Sequence, residues 1–414
     1  IFKEVLGVEK ISITDNFFEI GGHSLLAMQV ISNIKDKVRR EVSIKRLFAC
    51  PSIEELAIEL EKQKQNVDII PNISSQFETH PLSSSQKQVW FLNQFQNGDI
   101  SYNIPIAYKI KDKIDLFLLE QSINTLITRH KALRTVILEK DGIPFQKIMA
   151  TNYRKLEVIN IESNLEKVIN EEAWKLFDLE NGPLFKFKII KNTTEENILF
   201  LNFHHIIFDG ESEKIFFKEL KQIYNALQNK NSIELPDLEI QYTDFIYTEK
   251  EMLNSPLGEK QLNFWKEKLA GELPVLNLSP TTPRNIKTAN FNGESKKLEI
   301  PNGLTQKLEV VCKKENVTLN MLLLSAFQVL LNRYTQEKDI IIGTPIAKRT
   351  NKQLENMVGF LVNTTVIRSY INEEASFKEF LSQVKETTLN AYSNSDIPFE
   401  KIVEEINPVR ENSI

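Results

Sequence analysis

The chain has 414 residues, of which 41% are hydrophobic and 26% charged, a balance typical of a globular protein large enough for two or three domains. Its formal net charge of −5 comes from nearly equal numbers of acidic and basic residues with no basic block, which argues against a nucleic-acid partner. Cys50 and Cys312 belong to no CxxC pattern, so the sequence predicts neither a disulfide framework nor a zinc site and favours a reducing cytoplasm.

The longest apolar stretch, "NMLLLSAFQVLLNRY" at 320–334, is interrupted by Ser325 and Gln328. It is too short to cross a bilayer, so we predict no membrane partner. The opening "IFKEVLGVEK" carries charged residues in helical rhythm and lacks the order of a signal peptide. It resembles a helix cut midway, and we therefore expect the chain to be an excerpt of a longer protein.

Residues 1–62 are predicted to form a small helical bundle. Within "SIEELAIELEKQKQ", Ile53, Leu56 and Leu60 recur at helical spacing. Charged residues and glutamine then replace the apolar pattern, which indicates a linker over 63–78.

Helix-like and strand-like segments alternate over the remaining residues, which indicates an α+β fold. The length of this part favours two lobes, predicted at 79–245 and 246–414. The apolar run "ENILFLNFHH" at 196–205 has strand length, and a helical pattern follows it. His204 and His205 are therefore expected at the end of a strand, just before a turn.

The stretch "DNFFEIGGHSLLAMQVISNI" places two glycines, a histidine and Ser24 directly before a helical pattern. One interpretation makes Ser24 the helix cap. The other makes its hydroxyl, left uncrowded by the glycines, the target of a modifying enzyme. A phosphodiester formed there would lie near the positive end of the helix dipole.

This stretch resembles the carrier proteins of nonribosomal peptide synthetases, whose signature "DNFFxxGGHSL" is complete from Asp15 to Leu25. The later "LFACPSIEELA" also matches the carrier pattern. The resemblance implies that Ser24 carries a 4′-phosphopantetheine arm, attached by a phosphopantetheinyl transferase, whose thiol holds an aminoacyl or peptidyl thioester.

Three interpretations compete for His204 and His205. Two adjacent core histidines would need two sets of hydrogen-bond partners. Neighbouring strand residues point to opposite faces, so the pair could not easily bind one metal ion, and we predict no metal site. Acid/base or hydrogen-bonding chemistry fits best, with Asp209 fixing orientation or tautomer. Alternation does not decide which histidine faces a cleft, because both faces of the preceding strand are apolar.

The second part of the chain resembles the condensation domains of nonribosomal peptide synthetases, whose signature is "HHxxxDG". Six motifs follow in the family's order: "LSSSQKQVWFL" at 82–92, "RHKALRT" at 129–135, "FHHIIFDGES" at 203–212, "YTDF" at 242–245, "VGFLVNTTVIR" at 358–368 and "NSDIPFEKIV" at 394–403. The closing "NPVRENSI" resembles the start of a seventh motif. The resemblance implies a two-lobed, chloramphenicol-acetyltransferase-like fold with the active site between the lobes.

The resemblance implies an acyltransferase that forms amide bonds in antibiotic biosynthesis. An amine on a downstream carrier attacks the thioester on the upstream carrier, which by position is residues 1–62. The family pattern assigns proton acceptance or amine positioning to His205, and both roles stay open. His204 and Gly210 are structural in that pattern, and Trp90 and Tyr242 are interpreted as packing residues.

The same pattern pairs Asp209 with an arginine. Arg349 in "GTPIAKRT" is our candidate and Arg129 the alternative. Asn363 in "FLVNT" either directs its amide toward substrate or satisfies backbone groups, and the second role is the more common at a strand end.

The implied partners are the upstream and downstream adenylation domains and the acceptor carrier of the same assembly line. An epimerization domain and a catalytically silent domain that recruits a tailoring enzyme are the alternative functions. "VNT" in the fifth motif and "DIPFE" in the sixth argue against epimerization. The presence of His205, which silent relatives usually lack, argues against recruitment, and His204 argues against a cyclization domain.

Overall fold

Four short helices form the N-terminal bundle in the computed structural model, which describes residues 1–62, 69–95, 100–111, 113–161, 164–192, 197–276, 278, 295–349 and 351–408. They are α1 (Phe2–Leu6), α2 (Ser24–Val38), α3 (Ile44–Ala49) and α4 (Ile53–Glu61). Ser43 caps α3, and Ser52 forms a capping box with Glu55 at the start of α4. Phe17 and Leu47 are fully buried between the helices, as predicted for a bundle. Residues 63–68 of the predicted linker lie outside the described ranges.

The rest of the chain alternates helices and strands. In order these are β1 (Thr79–Pro81), α5 (Ser84–Phe95), β2 (Asn103–Ile110), α6 (Leu116–Arg129), β3 (Thr135–Lys140), β4 (Ile143–Ile148), β5 (Glu157–Ile161), α7 (Leu165–Ala173), β6 (Phe185–Asn192), β7 (Asn197–His204), α8 (Gly210–Gln228), α9 (Tyr242–Leu253), α10 (Pro256–Lys268), α11 (Asn302–Glu315), α12 (Leu319–Thr335), β8 (Asp339–Ala347), α13 (Lys352–Glu355), β9 (Val362–Tyr370), α14 (Phe377–Ser393) and α15 (Phe399–Ile406). No helix within the described ranges is long and apolar enough to cross a membrane.

The chain packs into two units that interleave in sequence. Unit 1 contains Ile1–Asp68, Leu253–Lys352 and Asn363–Ile414, and unit 2 contains Ile69–Met252 and Gln353–Val362. The boundary predicted near residue 245 instead falls inside α9, and the unit changes at the end of that helix. The reason is packing, since the buried face of α9 and segment 353–362 both contribute to the main apolar core of unit 2.

Unit 2 contains a four-stranded sheet in the order β2-β7-β6-β5 and a three-stranded sheet in the order β1-β4-β3. β7 lies inside the larger sheet, antiparallel to both neighbours. One of its faces, with Leu201 and Phe203, joins the main core, while Ile198 and Phe200 pack in a second cluster with residues of α7. Burial on both faces explains the continuous apolar run of this strand. It also explains why alternation could not orient the two histidines.

A buried ionic cluster joins α6 to α8 in unit 2. Glu219 of α8 lies 3.1 Å from Arg129 Nε and 2.7 Å from His130 Nε2. Burial alone would raise the pKa of Glu219, but the hydrogen bonds and charges of His130 and Arg129 outweigh burial and hold that pKa below its ordinary value. The second motif, "RHKALRT", thus anchors the helix that follows the histidine turn.

In unit 1, the N-terminal bundle contacts helices from the second lobe. Ile44 and Phe48 of α3 pack in one cluster with Met321 of α12 and Leu381 of α14. The Nζ atom of Lys385 lies 5.9 Å from the centre of the Phe48 ring. At the edge, Lys352 Nζ forms a 2.9 Å ion pair with Asp36.

We expect Glu219→Gln to lower the free energy of unfolding by about 3 to 5 kcal/mol, because it leaves two buried cationic or polar partners without their carboxylate. Thermal and urea unfolding of the 414-residue chain at neutral pH would measure the loss. Glu211→Gln on the same helix removes only the exposed pair with Lys214 and should change stability by less than about 1 kcal/mol. Equal effects of the two substitutions would contradict the anchoring role. Because folding lowers the pKa of Glu219, its stabilisation should persist above about pH 4.3 and disappear as the pH falls through the lowered pKa.

Candidate active site

His204 is the last residue of β7 and is buried, with 1% of its surface exposed. Its Nδ1 accepts a 3.1 Å hydrogen bond from the backbone N–H of Ile206, so a neutral ring carries its hydrogen on Nε2. The Phe177 ring meets the imidazole edge-on at a centroid distance of 5.8 Å. These contacts fit the structural role that the sequence predicted for His204, since the ring closes the turn after the strand.

His205 begins the short 3-10 helix His205–Ile207 and is only partly buried. Phe360 packs against its imidazole with a centroid distance of 4.7 Å and an interplanar angle of 61°. Its Nδ1 is buried, and no group in the described part of the chain forms a hydrogen bond with it. Burial lowers the pKa of His205 below its ordinary value, and the nearby backbone and the charge of Asp209 offset only part of this effect. Burial therefore favours the neutral form of the imidazole.

A glutamine of the first motif stabilises the turn that carries His205. Gln86 of α5 is fully buried, and its Nε2 donates a 2.9 Å hydrogen bond to the carbonyl of Ile206. Its Oε1 accepts from the backbone N–H of Ser83 at 3.1 Å. The glutamine of "LSSSQKQVWFL" thus fixes the backbone immediately after His205.

Asp209 is fully buried and caps α8, with Oδ1 accepting from the backbone N–H of Ser212 at 2.7 Å. Its other oxygen, Oδ2, accepts from the backbone N–H of Leu361 at 2.9 Å. The Ser212 hydroxyl lies 2.7 Å from Asp209 Oδ1, 2.9 Å from the carbonyl of Gly359 and 3.0 Å from the N–H of Gly359. The carboxylate therefore joins the histidine turn to segment 353–362.

Of the two arginines proposed as partners of Asp209, Arg129 is bound elsewhere. Its guanidinium holds Glu219, and its Nη2 also donates to the carbonyl of Pro236 at 2.5 Å. Arg349 belongs to unit 1, and its pairing with Asp209 stays a prediction.

Gly210 is the first residue of α8 and is exposed. A Cβ atom added there would meet no atom within 4 Å, so packing does not require glycine at this position.

Gly359, by contrast, is required by packing. A Cβ atom there would lie 2.4 Å from the Tyr242 ring. The Tyr242 hydroxyl donates to the carbonyl of Phe360 at 3.0 Å and lies 3.0 Å from Ser83 Oγ. The sequence predicted only a packing role for Tyr242. Its hydroxyl also fixes the backbone of Phe360, next to His205. Sequence reasoning also missed Ser212 and Phe360, although both lie inside quoted motifs.

Asn363 lies in unit 1 and is buried. Its amide nitrogen donates to the carbonyls of Ser395 and Ile397, both at 2.9 Å, and its Oδ1 accepts from the N–H of Phe399 at 3.0 Å. Both amide hydrogens are thus used by backbone groups, as in the more common of the two predicted roles. Asn363 organises the sixth motif and has no donor left for a substrate.

In the N-terminal bundle, His23 rather than Ser24 occupies the cap position of α2. Its side chain accepts from the N–H of Leu26 at 3.5 Å, and Ser24 is the first helical residue. A Cβ atom at Gly22 would lie 2.4 Å from the Phe17 ring, and Gly21 has a φ of +108°. Both glycines are therefore required by the backbone in front of Ser24. The side chain of Ser24 lies outside what the structure describes.

We expect Asp209→Asn to lower the free energy of unfolding by about 1 to 3 kcal/mol. The amide oxygen of asparagine can cap α8, but the NH₂ group then faces the N–H of Leu361 and the hydrogen bond is lost. Urea unfolding would measure the change. Asp115→Asn is the matched control, because Asp115 only caps α6, by accepting from Phe117 and Leu118, and asparagine caps equally well. A D209N variant as stable as D115N would contradict the bridging role.

Residues 76–414 match the family model of the condensation domain, and residues 1–60 match that of the phosphopantetheine attachment site. The chain is 37% identical to gramicidin S synthase 2 of Aneurinibacillus migulanus over 413 residues, covering 100% of this chain and 9% of that protein. It is 35% identical to bacitracin synthase 3 of Bacillus licheniformis, covering 100% of this chain and 6% of that protein. The chain thus spans less than a tenth of the length of these relatives.

Solved structures show the same fold. The X-domain from teicoplanin biosynthesis superposes with a TM-score of 0.73 at 22% identity, covering 84% of this chain and 77% of that one. The first condensation domain of the calcium-dependent antibiotic synthetase superposes with a TM-score of 0.68 at 16% identity, covering 80% of this chain and 78% of that one. The predicted chloramphenicol-acetyltransferase-like fold is confirmed. The chain belongs to the condensation-domain family of nonribosomal peptide synthetases and carries a phosphopantetheine attachment domain at its N-terminus.

Proposed function

We propose that this chain is the donor-side carrier and condensation domain of a nonribosomal peptide synthetase and forms a peptide bond. The observation that carries the proposal is His205, a neutral, partly exposed imidazole in a complete "HHxxxDG" sequence. An attachment domain precedes it in the same chain.

In the proposed reaction, the amine of an aminoacyl group on an acceptor carrier attacks the thioester carbon on the donor carrier. A C–N bond forms and the C–S bond breaks through a tetrahedral oxyanion. The amine loses one proton, and the departing thiolate gains one. A neutral imidazole can accept the proton of the amine or hold the amine by a hydrogen bond, and the lowered pKa of His205 keeps it in the neutral form that both roles need.

The proposal includes partners that the chain itself does not contain. A phosphopantetheinyl transferase would modify Ser24, whose position at the start of α2 places a phosphodiester near the positive end of the helix dipole. Adenylation domains would load the two carriers, and an acceptor carrier would deliver the amine. We propose a cytoplasmic location, where these carrier-loading enzymes and reduced thiols occur together.

Recruitment of a tailoring enzyme and epimerization are the two alternative functions. Recruitment of a tailoring enzyme would not need a neutral imidazole at position 205. Epimerization is disfavoured by "VNT" at 362–364 and by "DIPFE" at 396–400. Epimerization would also use the attachment domain and the histidine motif, so the two motif sequences are what favour peptide-bond formation over it.

We expect Ser24→Ala to abolish arm attachment, because the hydroxyl oxygen that forms the phosphodiester is removed. The 414-residue chain would be treated with a phosphopantetheinyl transferase and coenzyme A, and its mass recorded. Ser12→Ala, an exposed serine in a loop of the same bundle, should still gain the mass of the arm. A mass gain in the S24A variant would place the attachment site elsewhere.

We expect His205→Ala to lower the rate of peptide formation by a factor on the order of 10² to 10⁴ if the imidazole accepts the proton. The full-length parent protein, with its donor carrier loaded, would be mixed with an aminoacylated acceptor carrier and the product measured. His205→Gln separates the two roles, because glutamine can hold the amine but cannot accept a proton near neutral pH. Near-normal turnover of H205A would exclude both roles. Absence of peptide with the unmodified protein would favour recruitment.

A further inference from the structure

The imidazole of His205 is oriented without a carboxylate or carbonyl partner at Nδ1. That nitrogen is buried and lacks a hydrogen bond to any described residue. Asp209, the nearest acidic side chain in the motif, directs both oxygens to other donors, the N–H groups of Ser212 and Leu361. The Phe360 ring packs against the imidazole, so packing contributes to the orientation of the ring.

The backbone that carries Phe360 is anchored at three consecutive residues. The N–H of Gly359 donates to the Ser212 hydroxyl, which also lies 2.9 Å from the carbonyl of Gly359. The carbonyl of Phe360 accepts from the Tyr242 hydroxyl, and the N–H of Leu361 donates to Asp209. Each of these three residues is thus held by a polar contact, which fixes the position of the Phe360 ring.

We propose that Phe360 is the positioning residue for His205, with its backbone held in place by Tyr242, Ser212 and Asp209. This inference rests on the proposed role of His205 in peptide-bond formation. The Phe360 ring fixes the plane of the imidazole and excludes water from its Nδ1 side. The direction of Nε2 is thereby fixed, although no described residue forms a hydrogen bond with Nδ1.

Burial has a larger effect on the pKa of His205 than the charges around it. The charge of Asp209 favours the protonated form of the imidazole. The pKa of His205 is nevertheless below its ordinary value. Phe360 is 8% exposed and covers the imidazole, so removing its ring should admit water and raise the pKa of His205.

The first experiment follows the titration of His205 by NMR in the 414-residue chain, with ¹³C in the histidine rings. The chain has five histidines, and the signal missing from H205A is that of His205. We expect Phe360→Ala to raise the pKa of His205 toward about 6.5, while Phe360→Leu keeps it low because leucine still excludes water. Phe117→Ala, which removes an exposed ring of the same unit, should leave the titration unchanged. An unchanged His205 titration in F360A overturns the proposal.

A second pair of variants tests the backbone anchor of Phe360 without removing the Phe360 ring. These variants test the positioning role even where F360A fails to fold. Tyr242→Phe keeps the ring and removes the hydroxyl that contacts the Phe360 carbonyl and Ser83 Oγ, so the pKa of His205 should rise in the same direction by a smaller amount. Tyr108→Phe removes an exposed hydroxyl bonded to Glu213 and should have no effect. If Y242F titrates like the unmodified chain, the backbone anchor does not position His205.

The second experiment measures peptide formation by the full-length parent protein. Phe360→Ala should lower kcat roughly tenfold to a hundredfold and leave the KM for the acceptor carrier unchanged, because orientation rather than binding is lost. The acid limb of its pH profile should move upward toward about pH 6.5, since protonation then removes the neutral imidazole at a higher pH. F360L should recover part of kcat without moving the acid limb.

The two hypotheses fail in different ways. Full activity of H205A would overturn the proposed function whatever the titrations give, because the NMR measurement does not depend on turnover. An inactive H205A together with an F360A variant that matches the unmodified protein in titration, kcat and pH profile would overturn only the positioning role.

Discussion

The carboxylate of Asp209 is the connection on which the candidate site depends. Its two oxygens accept from the N-terminus of α8 and from the backbone of Leu361, which lies 152 positions further along the sequence. A buried charge is tolerated here because hydrogen bonds satisfy it. Asp244 repeats the arrangement, since its fully buried carboxylate accepts from the N–H groups of Ile73, Ser74 and Gln241. Unit 2 thus uses buried acidic side chains to bind backbone segments that are distant in sequence.

The two adjacent histidines serve different purposes because their surroundings differ. His204 is enclosed, and its Nδ1 is committed to the backbone of the turn. The Nδ1 of His205 is buried without a partner among the described residues, and its ring touches Phe360. A carboxylate partner would raise the pKa of an imidazole, whereas apolar cover lowers it. Packing against Phe360 therefore orients the ring and favours its neutral form. An aspartate partner would orient the ring but favour its protonated form.

The sequence predicted those features that depend on local pattern. The histidine turn at the end of a strand, the helix after it, the N-terminal bundle and the position of Ser24 at the start of α2 all follow from spacing and turn residues. Features set by tertiary contacts were not predictable. The Leu361 bond of Asp209, the hydroxyl of Tyr242 and the backbone partners of Asn363 join residues far apart in sequence. Alternation also failed to orient the histidines, because β7 is buried on both faces.

The contact between the N-terminal bundle and the second-lobe helices is apolar, with an ion pair at its edge. The bundle contributes Phe18, Met28, Ile31, Ile44 and Phe48 to the apolar cluster, and the ion pair between Asp36 and Lys352 is solvent-exposed. An exposed pair contributes about 0 to 1 kcal/mol, so most of the attraction comes from the apolar cluster.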